Sequence, residues 1–157
     1  AVSVNVDAGV CTTALANVTL GTPTTGDNCS VASTTNDAPA IFPLGATTVT
    51  YTVTDGSGNT ATATQVVTVV DNIDPTITAP AAVSVNVDAG VCTTALANVP
   101  LGTPTTGDNC SVASTTNDAP ASFPLGNTTV TYTVTDGSGN TATTTQERRE
   151  GKEWSPR

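Results

Sequence analysis

The chain has 157 residues, 37% of them hydrophobic and only 3% aromatic, with a formal net charge of -9. All four basic residues lie in the last ten positions, while residues 1–146 carry ten Asp and no Glu, Lys, Arg or His. Such a body repels nucleic acid and anionic membrane surfaces, attracts cations, and lacks the apolar run needed to cross a bilayer by a helix; with so few aromatics its core is thin and calls for a further staple.

The first elements are "VSVNV" (Val2 to Val6) and "VCTTALANV" (Val10 to Val18). They flank Asp7-Ala8-Gly9, which predicts a β-hairpin. Cys11 and Cys29 follow, 18 residues apart. With no His and no closely spaced Cys pair, a disulfide fits better than a metal site. A Cys11–Cys29 bond is expected, stabilising by about 3 kcal/mol in the loop-entropy description. It would place the chain in an oxidising compartment. Next, "TTVTYTVTD" (Thr47 to Asp55) alternates Val49, Tyr51 and Val53 with a hydroxylated row. Period two is the mark of a half-buried strand. "GSGN" and the second alternating run "TATATQVVTVV" complete a second hairpin. No segment has helical periodicity, and Thr, Val, Gly, Pro and Asn favour strands and turns.

After "VVDNIDPTIT" (Val69 to Thr78) the sequence starts again. Residues 82–146 repeat 1–65 with four differences: Thr19/Pro100, Ile41/Ser122, Ala46/Asn127 and Ala63/Thr144. A period of 81 is a whole small domain, not a solenoid turn. Short strands, frequent turns and this unit size predict two tandem immunoglobulin-like β-sandwich modules, all-β and arranged as beads on a string. The second copy is expected to pair Cys92 with Cys110. Module 1 is expected over 1–71 without its first strand, the lead-in and linker over 72–81, and module 2 over 82–146 with a shortened last strand. The tail 147–157, of different composition, reads as divergent and outside the fold. The chain reads as a piece of a longer or processed protein.

The strings "GVC" (Gly9 to Cys11), "DNC" (Asp27 to Cys29), "FPLGATTVTYTVTDGSGNTAT" (Phe42 to Thr62) and "VVDNIDPTIT" resemble the hyalin repeat (HYR) family. The resemblance covers nearly all of 1–146. It implies immunoglobulin-like extracellular modules, often in tandem, in adhesive or matrix proteins of animals and large surface proteins of bacteria. It implies adhesion or scaffolding, not catalysis. The residues agree, because there is no His, no Cys–His pair and no paired Glu in the repeats.

Two binding readings follow. Asp7 falls at one end of module 1, near the end of its last strand. The loop Gly107–Cys110 and the tip Asp136–Asn140 fall at the opposite end of module 2. Asp7, Asp71, Asn72, Asp74, Asp108, Asp136 and Asn140 are therefore candidate ligands at the module junction. Clustered carboxylate and amide oxygens without basic partners suit Ca²⁺, which takes six to eight oxygens. Each of these residues is also an ordinary turn residue. The expected role is a structural spacer or filament segment on a bacterial surface, stiffened by calcium and meeting other copies head to tail. The other reading is a glycan- or protein-binding adhesion module acting through loops at one sandwich end. Repetition and scarce aromatics favour the spacer. Asn17, Asn28, Asn109 and Asn127 match glycosylation acceptors, a pattern that chance readily supplies in a Thr- and Asn-rich chain.

Overall fold

A computed structural model of the protein describes residues 1–150, the last of them without its side chain. Strands dominate, and the chain divides into two units, Ala1–Asn72 and Ile73–Arg157. In unit 1 the strands are β1 (Val2–Asn5), β2 (Thr12–Ala14), β3 (Val31–Asn36), β4 (Ile41–Pro43), β5 (Gly45–Asp55) and β6 (Thr60–Val70). One sheet has the order β1-β6-β5-β3, and β2 pairs with β4 in a second, two-stranded layer. Between the layers lie Val6, Val18, Phe42, Val49, Tyr51, Val67 and Val69, all buried. Val49, Tyr51, Val67 and Val69 are alternate positions of β5 and β6, so the period read from the sequence selects the core face. The only helical element in the unit's described residues is the single three-residue 3-10 turn Leu15–Asn17.

The Asp55–Asn59 hairpin forms as expected, pairing Thr54 with Thr60. Gly58 takes φ +89 there, a conformation that an L side chain resists. The first expected hairpin does not form. β1 instead runs parallel to β6, matching Asn5 with Val70, while β2 pairs with β4 in the other layer. The turn after Val6 carries the chain from one layer to the other. Alternation identifies both strands and is silent about their partners.

Unit 2 contains β7 (Thr76–Thr78), β8 (Val83–Val85), β9 (Thr93–Ala95), β10 (Thr105–Gly107), β11 (Val112–Asn117), β12 (Ser122–Pro124), β13 (Asn127–Asp136) and β14 (Thr141–Glu150). Its main sheet is β11-β13-β14-β8, facing the pair β12-β9. Val99, Phe123, Val130 and Tyr132 form the centre, with Ile77, Val83, Val85 and Leu101 packed around them. The all-β, tandem immunoglobulin-like sandwich is thus the fold of the chain.

Two differences separate units of nearly one sequence. In unit 2 the lead-in is part of the fold. Residue Ile73 onward belongs to this unit, and β7 pairs with β10. Pro80 passes so close to Gly102 that a Cβ there would lie 2.7 Å from it. The same Thr-Thr-Gly at residues 24–26 of unit 1 forms no strand, because no counterpart of β7 is present among that unit's described residues. An open cavity of about 230 Å³ lies there, lined by Pro23, Thr25, Gly26, Tyr51, Val53 and Ala61. Val53 is half-buried, whereas its counterpart Val134 is fully buried.

The second difference is β14. The expected shortened strand is corrected, since residues of the supposed tail extend it: Arg148 pairs with Val83 and Arg149 with Ser84. Arg148 is 0% exposed and its guanidinium sits 4.5 Å from the Phe123 ring centroid. It takes the place of Val67 in unit 1, which pairs with Val2. Glu147 and Arg149 form an exposed ion pair at 2.9 Å, of little energetic weight. The rest of the expected tail, 151–157, lies outside the described residues.

Both units share one polar anchor. Tyr51 donates to Gln65 Oε1 at 2.7 Å, and Tyr132 donates to Gln146 Oε1 at 2.8 Å. In unit 2 the Gln146 amide also donates to the Ala81 carbonyl at 2.6 Å, tying the lead-in to the last strand. A buried amide needs such partners to avoid a desolvation cost.

Candidate functional site

The chemistry-bearing residues gather at the ends of each sandwich. At one end of unit 1, Asp55 closes the hairpin. Its Oδ1 accepts the N–H groups of Ser57 and Asn59, each at 2.8 Å, and Oδ2 accepts the Asn59 amide at 2.7 Å. Beside it, the Ser30 carbonyl accepts the Gly56 N–H at 3.2 Å. Asp27 Oδ2 accepts the N–H of Cys29 at 2.8 Å and of Ser30 at 3.0 Å. Cys29 therefore sits at the hairpin end. At the opposite end β6 finishes, with the Val6 N–H on the Val70 carbonyl at 2.9 Å and the Asp7 N–H on the Thr12 carbonyl at 2.8 Å. Asp7 Oδ2 accepts the Ala14 N–H and Oδ1 the Asn17 amide, both at 2.8 Å. Cys11 lies in this turn, and Asp71, buried to 4% exposure, follows Val70. Asn72 is exposed.

Unit 2 repeats both ends. Asp136 holds Ser138, Asn140 and the Asn140 amide as Asp55 holds its tip, but it is only 2% exposed. The lead-in accounts for part of this, since the Asn140 amide donates to the Ile73 carbonyl at 3.3 Å. Asp108 Oδ2 caps Cys110 and Ser111 at 2.8 and 2.9 Å. Its Oδ1 is buried and accepts no hydrogen bond from the described residues. Asp74 is exposed in the lead-in, next to Ile73. At the other end Asp88 accepts the Ala95 N–H and the Asn98 amide, both at 2.9 Å, as Asp7 does in unit 1.

These hydrogen bonds favour the ionised carboxylates. The Asn59 side chain and backbone hold Asp55 below the usual carboxylate range. The Cys29 N–H does the same for Asp27, and the Ala95 N–H with the Asn98 amide for Asp88. Burial pushes Asp136 up, yet the donors from Asn140, Ser138 and Gly139 prevail and it too titrates low. The grip of all four turns is present above the unfolded carboxylate value, about 3.9, and is lost as pH falls through the lower folded values. Of the expected calcium ligands, Asp7 and Asp71 share one end of unit 1. Asp74, Asp108, Asp136 and Asn140 share the hairpin end of unit 2. Asp7, Asp136 and Asn140 also perform the turn roles that their counterparts Asp88, Asp55 and Asn59 perform elsewhere.

The cysteine expectation is corrected. Cys29 and Cys92 are free, exposed thiols. The expected Cys11–Cys29 and Cys92–Cys110 bonds do not form, and geometry explains why. Each pair is split between opposite ends of its sandwich. β6 alone has 11 residues, which at about 3.3 Å each span roughly 36 Å. A disulfide needs Cα atoms within about 7 Å. The spacing of 18 residues is too coarse a guide, because β3 begins only after the chain has returned to the hairpin end.

Residues 5–69 and 70–147 each match the HYR domain. The chain belongs to the HYR domain family. The HYR copies here resemble hyalin of Strongylocentrotus purpuratus, 42% identical over 134 residues. They resemble hyalin of Lytechinus variegatus at 41% over 132 residues. A more distant relative is the sushi, von Willebrand factor type A, EGF and pentraxin domain-containing protein 1 of Rattus norvegicus, at 34% over 136 residues. The alignments cover 79%, 78% and 82% of this chain, but only 11%, 24% and 4% of those proteins. The chain thus spans a quarter or less of the curated relatives it matches. All three are animal proteins, which overturns the expectation of a bacterial surface for these HYR modules. Among the described residues no helix is long and apolar enough to cross a membrane.

Proposed function

We propose that the chain is a structural spacer of an extracellular adhesion protein. The observation that supports this is the tandem repetition of one HYR module with four changes in 65 aligned positions. Recognition surfaces diverge between copies, whereas load-bearing units are copied. Polar ends and disulfide chemistry fit an oxidising exterior. Nothing in the repeats supplies a nucleophile with a base, so the role is binding and support, not catalysis.

Calcium at the linker completes the reading. Asp71, Asn72 and Asp74 are close in sequence and have no basic residue near them in sequence. Asp108 Oδ1, buried without a hydrogen-bond donor, is a further oxygen of the kind a hard cation takes. Ca²⁺ held there would restrain one module against the next while leaving each sandwich intact. Small-angle scattering with calcium and then with chelator tests this. The expected result is a broader distance distribution after chelation with unchanged circular dichroism. Asp71→Ala with Asp74→Ala should give the chelated profile in both buffers. Identical profiles with and without calcium would refute the stiffening.

A further inference from the structure

Two of the four differences between the repeats exchange a glycosylation acceptor. Module 1 reads Asn17-Val18-Thr19, whereas module 2 has Pro100 at the hydroxyl position after Asn98. Module 2 reads Asn127-Thr128-Thr129, whereas module 1 has Ala46 in place of the Asn. Both acceptors lie at the end of the module opposite its hairpin. The Asn17 amide donates to Asp7 Oδ1 at 2.8 Å, in the turn beside the end of β6. Asn127 pairs with Arg149 near the end of β14, and its amide donates to Glu147 Oε1 at 2.7 Å. Positions 17 and 98 are both exposed, as are 46 and 127, so this openness belongs to the module. Thr19 and Thr129 are exposed as well. In β13 the period of two puts Asn127 and Thr129 on the face away from Val130 and Tyr132. The acceptor sequence common to both modules is built differently. Asn28 is exposed, but its counterpart Asn109 is half-buried. Its hydroxyl packs against the hairpin in both units. A Cβ on Gly56 would lie 3.1 Å from Ser30 Oγ, and one on Gly137 would lie 2.8 Å from Ser111 Oγ.

We propose that Asn17 and Asn127 carry N-linked oligosaccharides, one per module, at the end opposite the hairpin. The proposal rests on the extracellular reading, because the transfer belongs to the secretory route, and adds to it the modified residues. A chance match gives no reason for one exposed acceptor per module at one end. In the transfer, Asn Nδ2 bonds to the anomeric carbon of an oligosaccharide carried on a polyprenyl pyrophosphate. The anomeric C–O bond breaks. The polyprenyl pyrophosphate leaves with that oxygen and the electron pair, and the amide nitrogen gives up one proton. The modified amide keeps one N–H, so a donor remains for Asp7 Oδ1 and for Glu147 Oε1.

The test is to secrete the 157-residue chain from cultured animal cells behind a cleavable leader. The product is treated with peptide N-glycosidase in heavy-oxygen water. That enzyme converts each glycan-bearing Asn to a labelled Asp, which peptide mass spectrometry locates. The expected result is label at Asn17 and Asn127 and none at Asn28 or Asn109. On a gel, Asn17→Gln and Asn127→Gln should each remove one glycan step, and the two together should remove both. Ala46→Asn, which places an Asn ahead of Thr47 and Thr48, should add a step to module 1. These side chains are exposed, and retained circular dichroism would show that the variants fold. A secreted chain without label at Asn17 or at Asn127 would overturn the proposal, as would label at Asn28 or Asn109. The spacer reading would survive such a failure, since imaging of the array judges it independently.

Discussion

Placing a copy of Asp71–Ala81 ahead of Ala1 is expected to stabilise unit 1 by about 2 kcal/mol, the scale of burying one Ile side chain. The reason is the contrast between the units. In unit 2 this segment supplies β7, pairs with β10 and packs Ile77 against the core. In unit 1 the same place is a cavity of about 230 Å³ beside Tyr51 and Val53. The added strand should fill it and order residues 24–26 as a strand. For a unit of this size the gain corresponds to roughly 10 °C in midpoint. Hydrogen exchange reads the two units separately: amides of β5 and β6 should slow, those of β13 and β14 should not. Unchanged exchange in β5 would show that the cavity does not accept the strand.

Arg148→Val is expected to raise the stability of unit 2 by about 1–4 kcal/mol, the range for exchanging a buried charged group for a well-packed apolar one. Unit 1 supplies the template. Val67, at the same register position, is 0% exposed and faces the same kind of core. Contacts of the Arg148 guanidinium oppose the change. The stacking of Arg148 on Phe123 contributes about 0.5–2 kcal/mol. Its field on Asp88 is the last and smallest cause acting on that carboxyl. Desolvation of a fully buried guanidinium acts against these contacts. Thermal unfolding of the variant checks it, and a midpoint lowered by more than a few degrees would mean that Arg148 is a net stabilising core residue.

Much of this was legible in the residues. Val49-Thr50-Tyr51-Thr52-Val53 gives strand, face and core in one reading. Asp55-Gly56-Ser57-Gly58-Asn59 gives the hairpin tip, because only a glycine readily adopts the φ of Gly58. Strand partners were less legible. "VSVNV" and "VCTTALANV" alternate equally well as hairpin mates or as members of opposite layers, and local pattern carries no information on which. The cysteine spacing does not carry the pairing. The same topology that puts the Asp7 turn at one end of a module and the Gly-Asp-Asn-Cys loop at the other also separates Cys11 from Cys29. Arg148 was hidden by its chemistry. A charged residue in a changed context reads as solvent-exposed, and only the register of β14 against β8 shows it in a valine's place. For the acidic residues, sequence located the module ends. It did not separate Asp136, engaged by its own turn, from Asp108, whose Oδ1 is left without a donor.

Electron microscopy of native material that carries these modules tests directly whether they repeat to give length. The expected image is an extended array of beads with a repeat near one module length, roughly 40 Å from the strand rise. Modules clustered into a compact particle with no axial repeat would contradict it.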